Sequence, residues 1–176
     1  MADSETRYTI RLARAEELEY LREIEFASGA LFAEIGLHEV AESDSLPLDV
    51  LQDQQRARMV WVAADASDWA AGFAAASEMG NTIYLEQISV HPTHGRRGIG
   101  RLLIETLCDW ANANGYQAVT LLTFRDVSWN APFYSRMGFR PLDIKDLDPA
   151  VKDWVEEDLK SWAPLERVYM QRDIQH

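Results

Sequence analysis

Residues 89–103 read SVHPTHGRRGIGRLL, and within them Gly95, Gly98, Gly100, Arg96, Arg97 and Arg101 fall in seven consecutive positions. A glycine lets the backbone approach a ligand without a side-chain clash. The first amides of a helix point outward, unpaired, at the positive end of its dipole. A helix starting near Gly98 would make Gly98-Ile99-Gly100 an anion site, with phosphate its usual occupant and the three arginines adding charge. The stretch is not the dinucleotide fingerprint, because Leu103 stands where the third glycine belongs, and it is not a Walker A loop, because no Gly-Lys-Ser/Thr follows. Taken alone, the turn is also compatible with a solvated surface loop.

Upstream of this turn, Glu86 has the same strand parity as Ile88 and Val90, so the three side chains share one face. Downstream lies NAPFYSRMGF, residues 130–139, with Asn130 one helical turn before Tyr134. His91 and His94 flank Pro92, but no third metal ligand accompanies them and no metal is expected. Cys108 sits beside Leu107 inside an apolar helical pattern and reads as a packed residue, not a nucleophile. Trp110, Trp129, Trp154 and Trp162 read as core or interface aromatics, with an aromatic acceptor site as the alternative.

The elements that must position these residues follow from hydrophobic period. Residues 7–13 read as a strand and 15–26 as a helix with Leu18, Leu21 and Ile24 in step. Residues 29–58 form a broken helical region. Strands follow at 59–64, 69–78 and 82–90, separated by turns at 65–68 and at EMGN. From Gly98 the period becomes that of a helix, with Ile99, Leu102, Leu103, Leu107 and Trp110 in step and Asn114-Gly115 as its cap. A buried strand at 117–123 completes a βαβ unit, which implies two parallel neighbours. A short helix at 128–137 stopped by Gly138, a strand at 139–142, a charged helical insertion at 146–162 and a closing strand at 165–172 complete the chain. The expected fold is mixed α/β (α+β), a central sheet of about six to seven strands with a central βαβ unit flanked by helices, and residues 1–176 form a single domain.

The formal net charge of −12 argues against nucleic-acid binding, which needs a basic footprint. It suits a protein that attracts cationic ligands. One cysteine excludes an internal disulfide framework. No apolar run reaches membrane-spanning length, and MADSETRYTI has neither the basic nor the apolar region of a signal peptide, so a cytoplasmic location without membrane association is expected.

SVHPTHGRRGIGRLL followed about thirty residues later by NAPFYSRMGF resembles the GCN5-related N-acetyltransferase (GNAT) superfamily. The strand-ending V-x-P, the turn with Gly98 and Gly100, the helix and the FY-x-x-x-GF ending occur in the superfamily's order, and the core of the resemblance covers residues 82–142. It implies acetyl-coenzyme A, with the pyrophosphate on the backbone from Gly95 through Arg96, Arg97, Gly98, Ile99 and Gly100 to Arg101. It also implies that strand 82–90 splays from strand 117–123, and that the backbone of Ile88, Ser89 and Val90 binds pantetheine and the thioester carbonyl. The chain departs from the family pattern where Gln or Arg followed by Gly is usual: Gly95 and Arg96 stand there in exchanged order.

Acetyl transfer to an amine needs an uncharged nucleophile, a polarised carbonyl and a proton for the departing thiolate. Tyr134 matches the superfamily's usual general acid; a core tyrosine is the alternative. Glu86 faces the implied acceptor side, as a base or as a carboxylate holding the cationic amine. Asn130 either bonds pantetheine or caps its helix, since the superfamily's usual asparagine falls at Val127 here. Early helices (26–45) and the late insertion (143–164) contact the acceptor in this superfamily. Here they carry Glu34, Glu39, Glu42, Asp44, Asp146, Glu156 and Glu157, which suit a small, cationic amine or a basic peptide end. The expected activity is acetyl-coenzyme A-dependent N-acetylation of a primary amine by direct attack in a ternary complex, in a chain compatible with homodimer formation. The alternatives are a non-catalytic acyl-coenzyme A sensor or interaction module, and a nucleotide-binding module.

Overall fold

A computed structural model describes residues 7–174; the first six residues, part of the segment read above as no signal peptide, lie outside the described residues. The strands are β1 (Thr9–Leu12), β2 (Val60–Ala64), β3 (Ala70–Met79), β4 (Thr82–Val90), β5 (Ala118–Phe124), β6 (Arg140–Pro141) and β7 (Arg167–Asp173). The helices are α1 (Leu18–Glu34), α2 (His38–Ala41), α3 (Leu48–Arg56), α4 (Ile99–Ala113), α5 (Ala131–Arg136) and α6 (Pro149–Ser161). The sheet is mixed and seven-stranded, in the order β1-β2-β3-β4-β5-β7-β6. The chain divides into two compact units, one of residues up to 77 with 85–109, the other of residues 78–84 with those from 110 onward.

In the first unit, β1 pairs antiparallel with β2, and β2 with β3. Leu18, Leu21 and Ile24 of α1, the face marked by their spacing, are buried with Leu51 of α3, Val60, Val62 and Phe73 in one cluster. Each such side chain contributes about 1.5–3 kcal/mol on burial. The helix expected to end at Phe26 continues to Glu34, because Gly29 does not break it. That glycine lets α2 approach: a Cβ there would lie 3.2 Å from the Ala41 carbonyl oxygen. The chain turns at Gly36, with φ +84°. The loop before α3 is tied to α1 through one residue. Leu46 accepts from Arg22 Nε at 3.0 Å, and its N–H reaches both Glu25 carboxylate oxygens at 3.1 and 3.0 Å. Burial pushes the Glu25 carboxyl up to about 7, against the smaller opposing effects of the Leu46 N–H and the Arg22 charge. At the sheet's edge, Arg11 joins Glu17 at 2.7 Å and Asp68 at 2.8 Å, linking β1 to the start of α1 and to the turn between β2 and β3.

In the second unit, Thr82, Ile83 and Tyr84 of β4 pair parallel with Ala118, Val119 and Thr120 of β5. This is the parallel pair that the strand–helix–strand pattern requires. β7 pairs antiparallel with β5 along its whole length and with β6. Trp154 of α6 meets Tyr84 and Tyr169 edge-on at 5.2 and 6.4 Å, Trp162 meets Phe124, and Trp110 stacks on Tyr116. These three tryptophans are therefore in aromatic packing.

Several boundaries differ from expectation. β1 is shorter than 7–13, β6 is two residues instead of four, and α6 starts at Pro149, not 146, after Asp148 caps it through the Ala150 N–H at 2.8 Å. α5 begins at Ala131, not 128, since Pro132 has no N–H to give a carbonyl one turn back and so belongs in the first turn. Leu102, expected on the apolar face of α4, is exposed at 40%, while Ile99, Leu103, Ile104, Leu107 and Cys108 are buried.

Candidate functional site

The turn before α4 belongs to the first unit. His91 anchors its start by donating its N–H to the Ala71 carbonyl at 2.9 Å. Pro92–His94 make one 3-10 turn, and Gly95, Arg96, Arg97 and Gly98 are exposed. Arg96 and Gly98 both have left-handed backbones, φ +59° and +75°. A glycine accepts this conformation freely, whereas it strains a β-branched residue. A Cβ built on Gly98 meets nothing within 4 Å, so open space adjoins the backbone there. The first helical bond runs from Leu102 N–H to the Gly98 carbonyl at 3.0 Å. The amides of Ile99, Gly100 and Arg101 thus precede the intrahelical ladder, at the positive end of a fifteen-residue helix. Orphan amides at a helix start, exposed flanking arginines and an open glycine flank suit an anion such as the pyrophosphate of a coenzyme.

The turn also has partners that the sequence did not point to. Tyr8 Oη lies 2.7 Å from His94 Nδ1 and accepts from Arg97 Nη1 at 3.2 Å, and the Tyr8 and His94 rings meet edge-on. Burial first, and then the Arg97 charge, hold His94 below the ordinary histidine range. His94 is therefore a neutral partner of Tyr8. Among the described residues no group of three or more His, Cys, Asp or Glu is placed to hold a metal.

Along β4, Ile83, Leu85 and Ser89 are buried, whereas Glu86, Ile88 and Val90 are half-buried. The alternation puts these last three on one face, as parity requires. Ser89 faces the other way: its hydroxyl is 3.3 Å from Ser28 Oγ and 2.8 Å from Gln87 Nε2. Gly72 of β3 lies against this segment so closely that a Cβ would sit 2.8 Å from the Ser89 carbonyl oxygen. Glu86 Oε2 accepts from Ser77 Oγ at 3.1 Å and from Gln54 Nε2 of α3. Nothing in the local sequence pattern singles out Gln54 or Ser77, because their bonds to Glu86 join residues 32 and 9 positions apart.

Tyr134 and Asn130 belong to the second unit. Tyr134 is 8% exposed and meets Phe133 and Phe139 edge-on at 5.4 and 5.8 Å. Burial pushes its phenol well above the ordinary tyrosine value, so it stays protonated. Asn130 precedes α5 instead of lying within it, and its side chain makes no helix cap. Its Oδ1 accepts from Thr123 Oγ1 of β5 at 2.8 Å. Val127 is buried. The acidic side chains Glu34, Glu39, Glu42 and Asp44 of the first unit, and Asp146 and Glu157 of the second, are exposed; Glu156 is half-buried.

The family model of the acetyltransferase (GNAT) family matches residues 17–139. The chain belongs to the GNAT acetyltransferase family. Its enzyme class is that of a GNAT-type acyltransferase. Solved GNAT structures share the fold at low identity. The ribosomal-protein-S18-alanine N-acetyltransferase of Escherichia coli aligns with TM-score 0.70 at 17% identity, covering 97% of this chain and 96% of that one. A GNAT-family acetyltransferase of Staphylococcus aureus aligns with TM-score 0.71 at 18% identity, over 96% and 100%. The PaiA N-acetyltransferase of Thermoplasma acidophilum, in complex with coenzyme A, aligns with TM-score 0.69 at 18% identity, over 95% and 99%. In this GNAT chain Ile99, Gly100 and Arg101 open the helix that leads from β4 to β5, the βαβ unit at the centre of the resemblance.

Proposed function

We propose that the whole chain acts as one acetyl-coenzyme A-dependent N-acetyltransferase domain, moving acetyl to a primary amine by direct attack in a ternary complex. The observation that carries this reading is the turn ahead of α4, where Gly95, Arg96, Arg97 and Gly98 are exposed and Gly98 is left-handed beside open space. The backbone from Gly95 to Arg101 holds the pyrophosphate, and the Ile88, Ser89 and Val90 backbone takes the pantetheine arm. Acetyl-coenzyme A supplies the activated acyl group. Glu86 accepts the proton of the acceptor ammonium, and the freed nitrogen lone pair attacks the thioester carbonyl. The carbon–sulfur bond breaks as the C–N bond completes, the Tyr134 phenol gives its proton to the sulfur, and the second proton of the nitrogen returns through solvent to the phenolate, leaving a neutral amide and a free thiol. A phenol near 10 protonates a thiolate whose acid lies near about 8.5 only weakly in water, and burial makes the Tyr134 phenol a weaker acid still, so the transfer relies on apolar surroundings that raise the basicity of the thiolate by more. Asn130, its carbonyl already engaged by Thr123, serves the coenzyme only through its N–H₂ group.

The net charge of −12 and the exposed acidic side chains support a cationic acceptor, a small amine or a basic peptide end, and a cytoplasmic setting completes the proposal. Calorimetry with acetyl-coenzyme A should show binding, and absence of binding at millimolar ligand would remove the proposal. An amine panel followed by thiol release then tests transfer. Binding with no amine turned over would make the chain a non-catalytic acyl-coenzyme A sensor.

A further inference from the structure

α3 buries two side chains three residues apart, Leu51 and Gln54, on its inward face. Leu51 joins the apolar cluster. Gln54 is only 5% exposed, and its Oε1 is buried with no hydrogen-bond partner. Burying an amide with an orphaned carbonyl is costly, and an apolar side chain of the same length would sit there without that penalty. The amide's two N–H groups show what offsets the cost. Nε2 donates to Ser77 Oγ at 3.0 Å and to Glu86 Oε2. Ser77 in turn donates to the same Oε2 at 3.1 Å. The carboxylate dictates this amide orientation, because the reverse would set a carbonyl oxygen against it.

The bonds to Glu86 from Gln54 and Ser77 both end on Oε2. Hydrogen bonds to an ionised acceptor are the strong ones, so two of them fix the carboxylate's rotation and withdraw charge from the oxygen that accepts them. The other oxygen, Oε1, is left as the more basic one.

We propose that Gln54 is a positioning residue for Glu86: with Ser77 it clamps Oε2 and so presents Oε1 to the proton of the acceptor ammonium. The proton passes from nitrogen to Oε1, and the nitrogen keeps the electron pair that attacks the acetyl carbon. This inference rests on the proposed function's reading of Glu86 as proton acceptor.

Carbon-13 NMR of the side-chain carboxyl groups tests the clamp without any acceptor, with the Glu86 signal assigned by its loss in Glu86→Gln. Gln54→Met keeps the side chain's length and removes both donors and the orphaned carbonyl. The variant should melt no lower than the parent and bind acetyl-coenzyme A equally well. At constant pH its Glu86 carboxyl signal should move, since one oxygen loses a donor, and turnover on an amine taken from the panel should fall about tenfold with the amine's KM little changed. Ser77→Ala should move the signal by less, and it provides the same test if Gln54→Met does not fold. A signal unmoved in both variants overturns the clamp and leaves the proposed function standing. A displaced signal together with full turnover by Glu86→Gln overturns Glu86 as proton acceptor instead.

Discussion

Tyr134 and Glu86 are single groups whose proposed roles differ in what removing them should do. Tyr134→Phe keeps the ring against Phe133 and Phe139 and removes only the phenolic proton. Turnover should fall by about 10²–10³-fold while calorimetric affinity for acetyl-coenzyme A stays nearly constant. A folded variant with the parent's single-turnover rate would make Tyr134 a packing residue. The residues that form the turn and those sharing the Glu86 face were legible because each is named by a local rule, glycine at a helix start or period two along a strand. Tyr8, Gln54 and Ser77 were not, because their significance is a distance. Tyr8 meets His94 from 86 positions away, and an inward-facing Gln54 reads in sequence like any polar residue on a helix.

At the scale of the elements, Gly98 leaves open space beside a turn and Gly72 lets two strands approach closely, so the two should respond differently to substitution. Gly98→Val would force a β-branched residue into φ +75° and fill the open space beside the turn. Coenzyme affinity measured by calorimetry should drop about tenfold or more, with the fold intact by circular dichroism, since the site is an exposed turn and not core. Gly72→Ala should act differently. Its Cβ would press on the Ser89 carbonyl at 2.8 Å and on Val90 Cα at 3.2 Å, backbone atoms that cannot swing aside. Destabilisation of about 1–3 kcal/mol is expected in urea unfolding, with weaker coenzyme binding, because the neighbouring Ala71 carbonyl anchors His91. Order and type of the long elements were readable: β4 lies at 82–90 as expected, and α4 and β5 fall within one residue of expectation. Ends were less so. α1 runs past Gly29 because that glycine is placed for a close contact with α2, information that lies outside the helix's own pattern.

At the scale of the whole molecule, stability responds to pH through groups whose folded and unfolded proton affinities differ. Glu25 is such a group, held at about 7 when folded against 4.5 ordinarily. Between those values the folded chain binds more protons than the unfolded one, so this residue's contribution to stability falls as pH rises from about 4.5 to 7. Glu25→Gln removes the titration and keeps a carbonyl for the Leu46 N–H. Urea unfolding from pH 5 to 8 should show a flatter profile for the variant, which is at least as stable as the parent at pH 8. An equal slope in both proteins would refute the assignment to Glu25.

The same arrangement makes Leu46 a built-in reporter. Its amide donates to a carboxylate that itself gains and loses a proton near neutrality. Solvent deuterium enters such a site only when the contact opens. Exchange at most amides quickens steadily with pH. At Leu46 the ionised acceptor forming above about pH 7 should tighten its hold. Its exchange should therefore lag behind that of its neighbours as the solution becomes more alkaline, and a single backbone proton would then register the charge state of Glu25.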